Sequence, residues 1–284
     1  MKTIQWFPGH MAKAMRMMEE NLSLVDGVIF VLDARCPAAS FNPKLKILTG
    51  SKPVLYVLNK GDLADGGADA LLSRMRGSGA TALKVNSLNA ASRRDITGAI
   101  EKMIAEKRAR ALSKGQTGTF RFMVAGVPNT GKSTLINMFA GRRRAETGDK
   151  AGVTRGKQWV RVGDFELMDT PGTMPPAFEN QRLAARLAFV GSINDDILDL
   201  DDIALLLLGE LREKYPQKLT ERYGISGGES TEMLDTICEK RGFELRGNEP
   251  DYERAVRAVL DDFRKGKLGG VTLDSPDDLT GLEF

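Results

Sequence analysis

The sequence predicts an α/β domain with a mostly parallel, doubly wound sheet, followed by a small all-α domain. Three observations lead there. Short, wholly apolar runs such as Val28-Ile29-Phe30-Val31-Leu32 and Val54-Leu55-Tyr56-Val57-Leu58 suit strands buried on both faces. Helical segments alternate with such runs, the order of a sheet covered by helices. After Pro176 helical periodicity continues with no strand between.

Each element has its own signal. Met11 to Leu24 places Met11, Met15 and Met18 at helical spacing, so an amphipathic helix turns its methionines to the core. The two apolar runs end at Asp33 and before Asn59, with a short helix expected over Asn42 to Leu48. Leu71 to Arg76 predicts a helix and Ala82 to Val85 a short strand. Ser92 to Ala111 is a helix with a basic end at Lys102, Lys107, Arg108 and Arg110. Ser113 to Gly118 has linker composition. Phe120 to Ala125 is a strand, and Ser133 to Phe139 opens a helix. Gln158 to Val162 and Glu166 to Met168 form a hairpin about Gly163-Asp164. Beyond it, Glu179 to Val190, Leu200 to Lys214, Thr231 to Lys240 and Tyr252 to Lys265 are helical. Gly269 to Phe284 is expected to be a frayed acidic tail. The division expected is residues 1–180 and 181–284.

Composition narrows the class. The chain has 284 residues, 42% hydrophobic and 28% charged, as in globular proteins. Its longest apolar stretch, Ile203 to Leu208, is too short to cross a bilayer. The N-terminus lacks a signal core and cleavage site. With only Cys36 and Cys238, a cysteine-based zinc site is excluded and a disulfide framework is not expected. A cytoplasmic protein, outside any membrane, is the expectation. Net charge of +3 hides an asymmetry. Residues 1–190 hold 29 Lys/Arg and 16 Asp/Glu, whereas residues 191–284 hold 12 and 22. The basic part suggests a polyanion partner.

Gly126-Val127-Pro128-Asn129-Thr130-Gly131-Lys132-Ser133 is a G-x-x-x-x-G-K-S phosphate-binding loop in the right context, after a strand and before a helix. Its glycines let backbone N–H groups converge on phosphate, and the helix N-terminus favours the anion. Lys132 would reach the β- and γ-phosphates, with Thr130, Gly131 and Thr134 beside it. The Ser133 hydroxyl would hold Mg²⁺. Asp169-Thr170-Pro171-Gly172 is a D-x-x-G: Asp169 would hold Mg²⁺ through water, and the Gly172 N–H would sense the γ-phosphate. Thr154 lies between these motifs, where a switch threonine completes the Mg²⁺ shell.

Asn59-Lys60-Gly61-Asp62 is N-K-x-D, a guanine-reading loop. Asp62 can accept from guanine N1–H and the N2 amine. Adenine lacks that amine and would leave the carboxylate unpaired, which is the basis of strong discrimination. Asn59 would brace the loop, and the Lys60 stem would lie over the base. Asn86 and Ser87 follow the next strand, where guanine O6 is supported, although Leu88 replaces the usual alanine. The base loop precedes the phosphate loop in the chain. Rotating the order gives P-loop, Thr154, D-x-x-G, N-K-x-D and serine loop: a circularly permuted Ras-like P-loop GTPase domain that binds GTP and GDP. The cut falls between D-x-x-G and the strand Val28–Leu32.

With these motifs in place, the chain resembles the YlqF/RbgA-type circularly permuted GTPases (ribosome biogenesis GTPase A) over nearly its whole length. Further shared stretches are Trp6-Phe7-Pro8-Gly9-His10-Met11, Asp33-Ala34-Arg35 and Leu187-Ala188-Phe189-Val190-Gly191-Ser192-Ile193. The resemblance implies binding to large ribosomal subunit precursors late in assembly, and GTP hydrolysis there. It assigns the catalytic role to His10, because this family lacks the glutamine that Ras-like enzymes place after D-x-x-G. Thr173 occupies that position, where relatives usually carry a hydrophobic residue. Asn129 matches the P-loop asparagine of potassium-activated GTPases and implies a K⁺ ligand, with a hydrogen bond that braces the loop as the alternative. Candidate rRNA contacts are Arg142-Arg143-Arg144, Arg155, Lys157, Arg161 and the basic helix end. A monomer is expected. Two other readings stay open at this stage: an RNA-binding placeholder whose nucleotide only sets conformation, and a tRNA-modification-type GTPase, for which no modifying domain is visible.

Overall fold

The apolar runs form a six-stranded sheet. In the computed structural model, which describes residues 3–4, 9–116, 118–141, 158–175 and 177–284, strands β1 (Gly27–Asp33), β2 (Val54–Asn59), β3 (Thr81–Lys84), β4 (Phe120–Ala125), β5 (Gln158–Val162) and β6 (Phe165–Asp169) lie in the order β3-β2-β1-β4-β6-β5. Every neighbouring pair is parallel except β5–β6, a hairpin closed by Gly163 at φ 56°. All seven residues of β1 are buried, which explains its unbroken apolar run.

Alternation along the strands feeds two cores. Val28, Phe30 and Leu32 face one layer with Ala14 and Met18 of α1 (Gly9–Asn21), Leu45 of the short α3 (Pro43–Thr49), and Leu71 and Met75 of α4 (Gly67–Gly77). Ile29 and Val31 face the other, with Ile96, Ile100 and Ile104 of α5 (Ser92–Ser113) and Leu135, Ile136 and Phe139 of α6 (Lys132–Ala140). A one-turn helix, α2 (Pro37–Ser40), follows β1.

Helices α7 (Gln181–Phe189), α8 (Leu200–Lys214), α9 (Pro216–Tyr223), α10 (Ser230–Arg241) and α11 (Tyr252–Arg264) build a third core. Between the helices expected over Leu200 to Lys214 and Thr231 to Lys240, α9 forms as an additional helix; Pro216 at its first turn and Gly224 at its left-handed end are its start and stop signals. This core also takes in Met11 of α1, Val127 of the P-loop and Met174 after D-x-x-G. The helical part is thus packed onto the nucleotide loops.

The expected frayed tail is instead docked. Val271 and Leu273 are buried; their N–H groups donate to Leu63 O at 2.9 Å and Arg35 O at 2.7 Å. Asp274 accepts from the Ala38 and Ala39 N–H groups of α2 and pairs with Arg186 of α7 at 2.9 Å. Asp278 pairs with the same Arg186, also at 2.9 Å. Phe284 packs on Phe41 and Tyr56, with ring centroids 5.0 and 5.4 Å away. The acidic composition that suggested fraying is neutralised by a buried arginine far away in sequence. Leu273→Ala is expected to cost about 2–5 kcal/mol in urea unfolding; a change below about 0.5 kcal/mol, the range of surface substitutions, would mean an undocked segment.

Candidate functional site

The site lies where the parallel strands end. Connections leave β1 and β4 in opposite directions across the sheet, and the crevice at such a point takes ligands. The P-loop turns from β4 into α6 over backbone that demands its glycines. A Cβ on Gly126 would lie 2.4 Å from Val31 O; one on Gly131 would lie 2.3 Å from Asn59 Nδ2. Asn129 adopts φ 60°, a left-handed conformation. Thr130 is fully buried, its hydroxyl donating to Val127 O at 3.1 Å, and Thr134 is half-buried in the first turn of α6.

Lys132 is 6% exposed, and its Nζ donates to Val127 O at 2.8 Å. Burial pushes its ammonium down to about 8, Asp169 pulls the other way, and the Lys60 charge lowers it further. The Ser133 hydroxyl donates to Asp169 Oδ2 at 2.9 Å. Hydroxyl and carboxylate are the hard oxygen donors that Mg²⁺ takes together with nucleotide phosphates and water, so this pair fits the ion. No group of three His, Cys, Asp or Glu residues is arranged for a metal among the described residues.

Gly172 rests on the P-loop: a Cβ there would lie 2.6 Å from Pro128 Cα. The Thr173 N–H donates to Gly126 O at 3.2 Å, and Asn42 Nδ2 donates to Thr173 O at the same distance. The Thr173 side chain has no exposure, so in this arrangement it does not reach solvent at the site.

The base loop meets the P-loop through Asn59. Its Nδ2 donates to Thr130 O at 2.9 Å; its Oδ1 accepts from the Ser87 N–H at 3.0 Å and hydroxyl at 2.7 Å. Lys60 Nζ donates to Asn129 O at 2.5 Å. Asp62 is exposed, as a group meeting a base edge must be before binding. Asn86 is half-buried and its Oδ1 accepts from the Leu88 N–H at 2.8 Å. Leu88 itself is 82% exposed, so the residue that departs from the usual alanine meets no steric limit.

His10 is exposed in the first turn of α1, and Met11 beside it belongs to the core shared with Val127 and Met174. Thr154, Arg142, Arg143, Arg144, Arg155, Lys157 and the segment Trp6-Phe7-Pro8 lie outside the described residues. Among the other basic candidates, Lys102 and Arg161 are exposed. Lys107 pairs with Asp26, Arg110 pairs with Glu106 at 3.2 Å, and Arg108 lies over the rings of Phe120 and Phe165.

The sequence named no partner for two contacts at the P-loop. Asn129 Nδ2 donates to Val190 O at 3.0 Å, and the Ser192 hydroxyl donates to Pro128 O at 2.7 Å. The stretch after α7 therefore braces the P-loop. In the sequence this stretch stood out only as part of the resemblance; in the structure Gly191, at φ 74°, packs beside Asn129. Asp33 and Arg35, noted only as part of a resemblance, form a buried ion pair at 2.8 Å. Arg35, opposing the cost of burial, holds the Asp33 carboxyl well below the usual carboxylate range.

Three motifs scattered in reversed order thus converge on one crevice, the arrangement of a circularly permuted P-loop GTPase. The family model described as "50S ribosome-binding GTPase" matches residues 121–225, which begin at the P-loop strand and leave out N-K-x-D. The chain is 40% identical over 283 residues to Ribosome biogenesis GTPase A of Bacillus cereus, covering 97% of this chain and 95% of that one. To the Thermotoga maritima protein of the same name it is 31% identical, covering 99% and 97%. The crystal structure of GNP-bound YlqF from T. maritima superposes with TM-score 0.67 at 26% identity, covering 94% of this chain and 99% of that one. This chain belongs to the ribosome biogenesis GTPase A family.

The depressed Lys132 ammonium carries a pH dependence. A phosphate bound at Lys132, as the P-loop motif leads one to expect, would favour the charged form, so GDP binding would take up a proton once the free protein has begun to lose it. The Kd for GDP is expected to be flat below about pH 7 and to rise toward tenfold per unit above about pH 8.5. Calorimetry in buffers of different ionisation enthalpy checks this; binding without proton uptake at pH 9 would contradict it.

Proposed function

We propose that this protein hydrolyses GTP on the maturing large ribosomal subunit and leaves after hydrolysis. The observation that carries the reading is the Asn59 amide. It joins the P-loop to the serine loop, so motifs in reversed order make one guanine-nucleotide site. The names of the relatives supply the ribosomal setting.

In this reading Lys132 and the N–H groups of Asn129, Thr130, Gly131, Ser133 and Thr134 hold the phosphates. Asp62 pairs with guanine N1–H and N2, Lys60 covers the base, and Asn86 and Ser87 support O6. Ser133, Thr154 and Asp169 hold Mg²⁺, which when bound neutralises charge on the phosphates. The Gly172 N–H reports the γ-phosphate. Residues 1–180 form the nucleotide-binding unit and residues 181–284 the unit facing the subunit. The direct braces from Val190 and Ser192 to the P-loop support coupling between the two.

His10 orients or polarises the attacking water. Its support is the anchoring of α1: Met11 packs in the core that holds Val127 and Met174, and Gln181 of α7 binds the Ile4 N–H at 2.7 Å. A K⁺ ion at the Asn129 side-chain oxygen would add positive charge near the phosphates. Exposed Lys102 and Arg161, with Arg142–Arg144, Arg155 and Lys157, contact rRNA phosphates. The protein acts as a cytoplasmic monomer; no helix among the described residues is long and apolar enough to cross a membrane.

Cosedimentation with large-subunit precursors is expected with a non-hydrolysable GTP analogue and weak with GDP. Absence from the particles in both states would refute the reading. In single-turnover hydrolysis on particles, His10→Ala is expected to lose about 10²–10⁴-fold in rate while keeping its GTP affinity. The same assay in potassium and sodium tests the ion, with equal rates counting against it.

A further inference from the structure

Asp33 closes β1 with no solvent exposure, and both of its carboxylate oxygens are engaged. Oδ1 accepts from the Arg35 N–H at 3.1 Å and Arg35 Nε at 2.9 Å. Oδ2 accepts from Arg35 Nη2 at 2.8 Å and lies 3.0 Å from Lys60 Nζ. Lys60 adopts φ 58°, a left-handed backbone that a lysine keeps only where its surroundings hold it. Its flexible stem ends in two fixed contacts, Asp33 and Asn129 O. Arg35 sets the orientation of the carboxylate from the other side, and its Nη1 donates to Phe263 O of α11 at 3.1 Å.

We propose that Asp33 is a positioning residue for guanine-nucleotide binding, holding the Lys60 stem over the base through their buried ion pair. This rests on the reading of N-K-x-D as the guanine site. Asp33 lies in another strand from N-K-x-D and does not touch the nucleotide in this scheme. It acts through Lys60 alone, and α11 shares the same carboxylate by way of Arg35.

The test is a thermodynamic cycle on the full chain, read as the Kd for a fluorescent GDP, with thermal melts run alongside. Asp33→Asn removes the charge. Asp33→Glu keeps it but moves the oxygens by one methylene. Each is expected to weaken GDP binding about tenfold, the scale of one charge-assisted hydrogen bond. Lys60→Met is expected to weaken it at least as much, and neither Asp33 variant should weaken a Lys60→Met protein further. Wild-type affinity in Asp33→Glu would mean that Asp33 only compensates buried cations, and would overturn the proposal. Additive losses in the double variants would overturn it as well. If Asp33→Asn fails to fold, Asp33→Glu decides. Unchanged affinity in Lys60→Met would bring down the guanine-site reading itself, and the proposal with it.

Discussion

Asn59 stands at the end of β2, 2% exposed, and each end of its amide is committed to a different loop. The nitrogen holds Thr130 O of the P-loop; the oxygen holds Ser87. A buried amide with partners missing would be costly, so the three loops keep their relative places or lose stability together. Gly131 has no side chain because that amide occupies the space where its Cβ would go. The permuted order of the chain is tolerated because this joint is formed by strand ends, which adjoin one another whatever order connects them.

A second set of joints ties the nucleotide loops to the helices. Val190 O accepts from the Asn129 amide, and the Ser192 hydroxyl donates to Pro128 O. Arg264 caps the same stretch by donating to Phe189 O and Ala188 O while it pairs with Asp195. Arg35 reaches from Asp33 to Phe263. Movement of the P-loop or of α7 therefore has to be shared with the other, so in the proposed scheme, where Gly172 beside Pro128 reports the γ-phosphate, these joints are the path into the helical part.

Two of the buried charges are arginines paired with carboxylates. Arg35 and Arg186 are among the largest fully buried side chains, and each faces carboxylates with hydrogen-bonding geometry. Such pairs contribute little net stability compared with apolar packing, but removing one partner strands a charge. Arg186 ties the C-terminal segment to α7 through Asp274 and Asp278, and Arg35 ties α11 to β1 through Phe263 O.

Much of this was legible in the sequence. Unbroken apolar runs marked the parallel strands, since strands covered on both faces need no polar positions. The spacing of Gly126, Gly131 and Lys132 marked the P-loop, because that pattern turns backbone donors toward phosphate. The pairing of N-K-x-D with the P-loop followed from motif order once both lay at strand ends. What stayed hidden depended on partners distant in the chain. The docked C-terminal segment depends on Arg186, 88 residues before Asp274. The brace on Asn129 depends on Val190, 61 residues away. Local chemistry such as strand burial, loop turns and ligand-binding residue types is written in short stretches of sequence and was determined there. The seats of the helices and tail were decided by tertiary structure, because a buried charge or amide takes whichever partner the fold brings within about 3 Å.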